Sequence, residues 1–253
     1  MYKKLTPEDY ITSSIIRFGS HDKYIQEKIL VDFFVIKGNM KIAEGLRNYI
    51  KKHLKELKSM PKIRLLDVGP AIGAITTMLA LQELDRCGLL EKTQVYLADV
   101  SQRVIDKTRE GDFYFPKAII NSLLKRKIMK KLKNLKGYVC SASNLPFKND
   151  YFDIAVAGFL FNNLHNQTKF SSAKQIERVI KKNGFIGIAD QWFRDYKKEY
   201  CAEHANDVIP LAYESIMSMD KILKFFTSTY IRERSRLKDV SKENYYYFCG
   251  EKR

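Results

Sequence analysis

Residues 63–73 read Ile-Arg-Leu-Leu-Asp-Val-Gly-Pro-Ala-Ile-Gly, and the fold is decided there. An apolar run reaches Asp67, a turn brings Gly69 and Gly73, and an apolar helical pattern then runs to about residue 86. A strand that stops at a glycine-bearing turn and restarts as a helix leaves unpaired backbone N–H groups at the helix start. Glycine lets that backbone approach a ligand and take φ > 0. Such a turn suits nucleotide-like ligands, yet on its own it also fits an ordinary strand–turn–helix.

Working outward, strands and helices alternate, the pattern of a parallel sheet covered on both faces. The first strand is 63–68 and its helix 73–86. A second strand, 94–99, again ends in an aspartate, Asp99. Short strands follow at 137–141, 152–157 and 185–190, with an amphipathic helix over 171–182 that the Asn183-Gly184 pair stops. The C-terminal part changes character: a helix at 218–227, then strands at 229–236 and 244–250, whose short polar link predicts antiparallel pairing. Before the first strand, 22–36 and 38–58 read as helices. In the second of these Ile42, Leu46, Ile50, Leu54 and Leu57 recur at helical spacing, lysines 51, 52, 55 and 58 take the other side, and Pro61 ends it.

Composition sets bounds. The chain has 253 residues, 45% hydrophobic and 29% charged, as for a soluble globular protein with a sizeable core. No apolar stretch has the length of a membrane span, and the first residues lack an apolar signal core. Cys87, Cys140, Cys201 and Cys249 lie far apart without a CxxC pair, so reduced thiols in a cytoplasmic protein are expected. His21, His53, His165 and His204 share no ligand spacing, and no metal is expected. The formal charge of +16 is unusual. Part of it is clustered: 121–136 holds seven basic residues and no acidic one, with Leu124, Ile128, Leu132 and Leu135 in one stripe. This predicts a basic amphipathic helix, open either to a polyanion or to solvent.

Asp99 beside a glycine turn has a physical purpose, because a carboxylate there accepts hydrogen bonds from both hydroxyls of a ribose lying across the strand ends. Dinucleotide oxidoreductases use the same device, but their G-x-G-x-x-G fingerprint is missing. Asp67, directly before the turn, suits a positively charged ligand better than a pyrophosphate.

At these residues the chain resembles the class I S-adenosylmethionine-dependent methyltransferases. Leu-Leu-Asp67-Val-Gly69-Pro-Ala-Ile-Gly73 is similar to their first motif and Leu-Ala-Asp99-Val-Ser to their second. Residues 141–156 resemble the third-strand loop and fourth strand of the family's small-molecule branch, and 179–190 the segment leading into strand five. The resemblance implies an α/β, Rossmann-like fold: a seven-stranded, mostly parallel sheet with helices on both faces and an antiparallel C-terminal strand, plus a helical N-terminal extension. The extension or lid would be 1–60, and the methyltransferase-like domain 61–253, with an insertion at 110–136.

Carried over by position, the resemblance implies S-adenosylmethionine as cofactor. Gly69, Pro70, Ala71 and Gly73 would wrap its methionine part, with Asp67 near its amino group. Asp99 would hold the ribose and Val100 pack on the adenine. Ser141 stands where many members carry an aspartate toward the adenine amino group, and Ala142 and Gly158 complete the set. His165, in the loop after the fourth strand, is the candidate general base. Asp190 and Trp192 face the same cleft. The N/D-P-P-Y/F sequence of enzymes that methylate exocyclic or amide nitrogens is absent. That leaves RNA and small molecules open. The resemblance of the Leu-Pro-Phe segment and of the loop ending in His165 to the small-molecule branch implies a small-molecule acceptor, an anionic one included, with an RNA acceptor or a catalytically degenerate cofactor binder as the alternatives.

Overall fold

The computed structural model describes residues 33–70, 74–111, 126–161, 164, 166–192, 225, 230–238 and 244–253. The elements are α1 (Phe33–Ser59), β1 (Ile63–Val68), α2 (Ile75–Arg86), β2 (Thr93–Asp99), α3 (Gln102–Glu110) and α4 (Arg126–Lys133). They continue as β3 (Lys136–Val139), β4 (Phe152–Gly158), α5 (Asn166–Val179), β5 (Ile180–Trp192), β6 (Tyr230–Lys238) and β7 (Asn244–Lys252).

The described strands form one sheet in the order β3-β2-β1-β4-β5-β7-β6. From β3 to β5 all neighbours are parallel. β7 lies antiparallel between β5 and β6. β1 is central, and Leu65 and Leu66, on opposite faces, are both wholly buried, as a strand covered on two sides requires. Its neighbours are reached in opposite directions along the sheet, so the crevice outside its carboxyl end is the topological switch point where such sheets bind ligands.

One core fills the face under α1 and α2. There Ile42, Leu46 and Ile50 meet Met78, Leu81, Val156, Phe185 and Cys249. The stripe read from the sequence is therefore the buried side of α1, which kinks at His53, where φ is −107° and ψ is 17°. The His53 ring stacks near Tyr49 and meets Glu251 of β7 at 3.1 Å. The second core joins Leu66, Tyr96, Ala155, Ile186 and Phe248 to Ala173 and Ile176 of α5.

Several expectations are corrected. The helix placed at 171–182 is Asn166–Val179, and the chain passes from it directly into β5. Asn183-Gly184 is no helix stop. Phe152 already pairs with Ile180, the register then shifts, and Ile154 pairs with Phe185, so the Asn-Gly pair is an irregularity inside the strand. Asn183 is left-handed there, at φ 62°. A Cβ on Gly184 would lie 2.9 Å from the Lys181 carbonyl oxygen, so only glycine fits. The third strand is Lys136–Val139, which leaves Cys140 and Ser141 beyond its end. Of the basic helix, Arg126–Lys133 is helical, with Ile128 and Leu132 inward. Leu124 lies outside the described residues, as do 22–32, 112–125, Cys201 and, apart from Phe225, the helix at 218–227. Cys87, Cys140 and Cys249 are free thiols.

Candidate active site

The carboxyl ends of β1, β2 and β4 converge around Asp67, Gly69, Asp99 and Gly158. Asp67 continues the face of Ile63 and Leu65 and is wholly buried. The Thr77 hydroxyl on the first turn of α2 donates to its Oδ2 at 2.5 Å. Its Oδ1 is buried with no hydrogen-bond partner among the described residues. Burial, with a smaller contribution from the nearby Asp99 charge, pushes the Asp67 carboxyl up to about 7, against the hydrogen bond from Thr77. A buried carboxylate oxygen without a donor is costly in isolation, and a cation arriving at the turn relieves it.

Gly69 takes φ 67°, and its N–H donates to the Ala98 carbonyl at 2.8 Å, tying the end of β1 to that of β2. A Cβ there would sit 2.6 Å from the Leu160 side chain, which faces it from the loop after β4. Pro70 is buried, while Ala71 and Gly73 lie outside the described residues. Ala74, at the head of α2, is left-handed at φ 39°, and Phe159 across the crevice is left-handed at φ 58°. Backbone held in this region by residues with a Cβ is stored strain, which collects at functional sites.

Asp99 is half-buried at the end of β2, where its Oδ1 accepts the Ser101 N–H at 2.9 Å. Val100 beside it is half-buried. Across the end of β3, burial and the Asp99 charge push the Cys140 thiol up to about 11. Ser141 is half-buried and Ala142 buried. The Ser141 hydroxyl is engaged locally, with the Ser143 hydroxyl at 2.9 Å and the Ser143 N–H at 3.3 Å.

The loop after β4 is anchored from β5. The Phe161 N–H donates to Asp190 Oδ2 at 2.6 Å, both residues being wholly buried. On the same side Lys169 of α5 is fully buried, and burial lowers its ammonium to about 7 against the opposing pull of the Asp190 charge. Asp190 thus faces inward and holds the loop. His165 and the side chain of Trp192 lie outside what is described.

A profile of the family described as "Methyltransferase domain" matches residues 59–249. The chain belongs to this methyltransferase family. By family it is a class I S-adenosylmethionine-dependent methyltransferase. A curated relative, the ubiquinone/menaquinone biosynthesis C-methyltransferase UbiE of Rickettsia felis, is 28% identical over 142 residues, 54% of this chain and 50% of that protein. Its counterpart in Rickettsia massiliae is 27% identical over 152 residues, 57% and 54% of the two. The methyltransferase thus spans about half the length of these curated relatives. Among solved structures, the DszA carbon methyltransferase superposes with a TM-score of 0.60 at 14% identity, over 95% of this chain and 60% of that one. A methyltransferase from Methanosarcina mazei gives 0.51 at 17% identity, over 79% and 96%. These two likenesses concern the fold.

The residues present fit the family's cofactor. Asp67 Oδ1, unpaired among the described residues, awaits a donor, the half-buried Asp99 lies one strand away, and Gly69 and Gly158 let the backbone close on Leu160 and on Asn39 and Thr76 where a Cβ would clash. Among the described residues no three His, Cys, Asp or Glu side chains gather to hold a metal ion, and no helix is long and apolar enough to cross a membrane.

Four polar residues of the methyltransferase site escaped the sequence reading. Thr77 holds Asp67. Its neighbour Thr76, buried, donates to Asn39 Oδ1 of α1 at 3.0 Å. Asn39 precedes Ile42 on the buried stripe, and a polar side chain at an inward position is the signal that would have found it. Lys169 similarly heads the stripe of Ala173 and Ile176.

Proposed function

We propose that this chain transfers a methyl group from S-adenosylmethionine to a small-molecule acceptor, and that the acceptor atom is carbon. The observation that carries the reading is the carboxylate pair at the ends of neighbouring parallel strands: Asp67, buried with one bare oxygen, and Asp99, half-buried beside it. When bound, the cofactor supplies an electrophilic methyl group on a sulfonium centre. Asp99 holds the ribose hydroxyls and Asp67 the amino group. Gly69, Pro70, Ala71 and Gly73 wrap the methionine part with Gly158 at its far end, while Val100, Ser141 and Ala142 border the adenine. Fixing both reactants in line accounts for much of the rate.

Carbon as the acceptor atom is supported by the C-methyltransferase names of the curated relatives. A carbon nucleophile must give up a proton, and His165, which directly precedes α5 in the sequence, is the side chain we assign to take it. Residues 1–60, the insertion 110–136 and the loops after β4 and β5 select the acceptor. Free thiols at Cys87, Cys140 and Cys249 suit the reducing cytoplasm.

An RNA acceptor, which the charge of +16 would favour, is the second reading. Lys131 of α4 donates to the Glu91 carbonyl at 2.6 Å, which sets the last turn of the basic helix at the opposite end of β2 from Asp99.

Titration calorimetry with S-adenosylhomocysteine, on the wild type and on Asp99→Ala, tests the cofactor assignment. No binding by the wild type, or equal binding by the variant, refutes it. Incubation with methyl-labelled cofactor and a panel of quinols and phenols tests the acceptor. A new carbon–methyl bond is expected, label on oxygen or nitrogen overturns the choice of carbon, and any turnover removes the reading of a degenerate cofactor binder.

A further inference from the structure

On the inner side of α1 the stripe is apolar except at its first described position. Asn39 lies one turn before Ile42 and is only 3% exposed, and an amide carried into the interior is costly unless it is used. Its Oδ1 accepts the Thr76 hydroxyl at 3.0 Å. The pair is pressed against the end of β4, where a Cβ on Gly158 would lie 2.3 Å from Asn39 Oδ1 and 2.4 Å from Thr76 Oγ1. Gly38 is closely packed too, though less tightly, with the Phe159 ring 3.1 Å from where a Cβ would be.

Two consecutive threonines therefore organise the floor of the crevice. Thr77 secures one oxygen of Asp67 and leaves the other bare, while Thr76 donates to the oxygen of Asn39, whose remaining hydrogen-bonding groups are the N–H donors of its amide. Sheet order places these groups along one line, from Asp99 on β2 through Asp67 on β1 to Gly158 on β4. A cofactor whose ribose sits at Asp99 points its amino-acid end at Asp67 and Asn39. That end carries an ammonium and a carboxylate. Asp67 matches the ammonium and repels the carboxylate, whereas an uncharged amide donor accepts the carboxylate without a competing charge.

We propose that Asn39 is a cofactor-binding residue, its amide nitrogen donating to the carboxylate of the cofactor's amino-acid end, so that α1 forms part of the cofactor site. This rests on the cofactor reading given above. α1 then does more than cover the sheet: its docking completes the cofactor pocket.

The experiment is titration calorimetry of the full chain with two probes, S-adenosylhomocysteine and 5′-methylthioadenosine, which lacks the amino-acid end. Asn39→Ala should weaken the first about tenfold or more, the loss of one hydrogen bond to a charged group, and leave the second unchanged. Asn39→Asp keeps the size and the acceptor for Thr76 but sets a charge against the carboxylate, so it should weaken S-adenosylhomocysteine at least as much. Equal losses for both probes in Asn39→Ala, or wild-type affinity in Asn39→Asp, overturn the proposal. If Asn39→Ala does not fold, the isosteric Asp variant decides by the same comparison. A wild type that binds neither probe overturns the cofactor reading itself, and this inference with it.

Discussion

Lowering the pH should loosen the cofactor through one residue, Asp67. In the unliganded chain burial raises its carboxyl from 3.8 to about 7, so near neutrality it is half protonated. An ammonium seated on its bare Oδ1 requires the carboxylate, and binding must therefore expel the proton. Affinity then falls as 1 + 10^(pKa − pH), about elevenfold at pH 6 and about 100-fold at pH 5 relative to its plateau. Calorimetry with S-adenosylhomocysteine in two buffers of different ionisation enthalpy counts the protons, and about 0.9 should be released at pH 6. Asp67→Asn, which does not titrate, should bind more weakly at its best pH and show no such release. Without ligand the same group acts on stability with a definite sign. Its folded pKa lies above the unfolded one, so its contribution is complete below about pH 4 and is lost as pH rises through 7. A carboxyl moved from 3.8 to about 7 corresponds to about 4 kcal/mol. Affinity flat between pH 5 and 7, or a wild-type proton count in Asp67→Asn, would refute the reasoning.

Asp99→Ala should weaken both S-adenosylhomocysteine and adenosine, by about 100-fold if two ribose hydrogen bonds of about 1.5 kcal/mol each are lost, read by calorimetry. Asp190→Asn removes the charge that opposes the burial of Lys169 and weakens the hold on the Phe161 N–H, so it should cost about 1–3 kcal/mol in urea unfolding, and the Lys169→Met/Asp190→Asn double variant should recover part of that. A double variant less stable than the single one would contradict a charge pairing. Reversing Lys127 and Lys131 to Glu should leave cofactor affinity unchanged and, where RNA is bound at all, only flatten its salt dependence. Deleting residues 1–32 should spare S-adenosylhomocysteine binding, because Asn39 stays in place, and abolish methyl transfer to the acceptor.

The two acids of the site could be read in one dimension because each ends an apolar run that becomes a strand of the parallel sheet. Gly69 was legible for a similar reason, since a turn at a strand end admits few residues. Asn183-Gly184 misled, because the dipeptide that stops a helix also suits a bulge, and the pairing of Phe152 with Ile180 that decides between them is non-local. Asn39 was hidden for the same kind of reason: helical spacing marks the side of α1 it occupies, but only the folded sheet brings that side to Thr76 and Gly158. The partnership of Lys169 with Asp190 likewise needs α5 laid across β5 before either charge is explained.

The place of β7 between β5 and β6 governs the order in which the chain can be assembled. During synthesis β1 to β5 emerge first, and the outer edge of β5 stays open until residues 244–252 arrive. α1 emerges earlier still, yet Gly45 packs on Cys249 and Lys52 bonds Glu251, so its seat is incomplete until that strand is made. The earliest described helix thus waits for the latest described strand, a long-range closure that slows folding and leaves a sheet edge and an apolar helix face exposed meanwhile. A chain arrested before residue 244 would hold the crevice-forming strands in order while offering β5 to any passing strand, a route to aggregation that begins at the sheet edge.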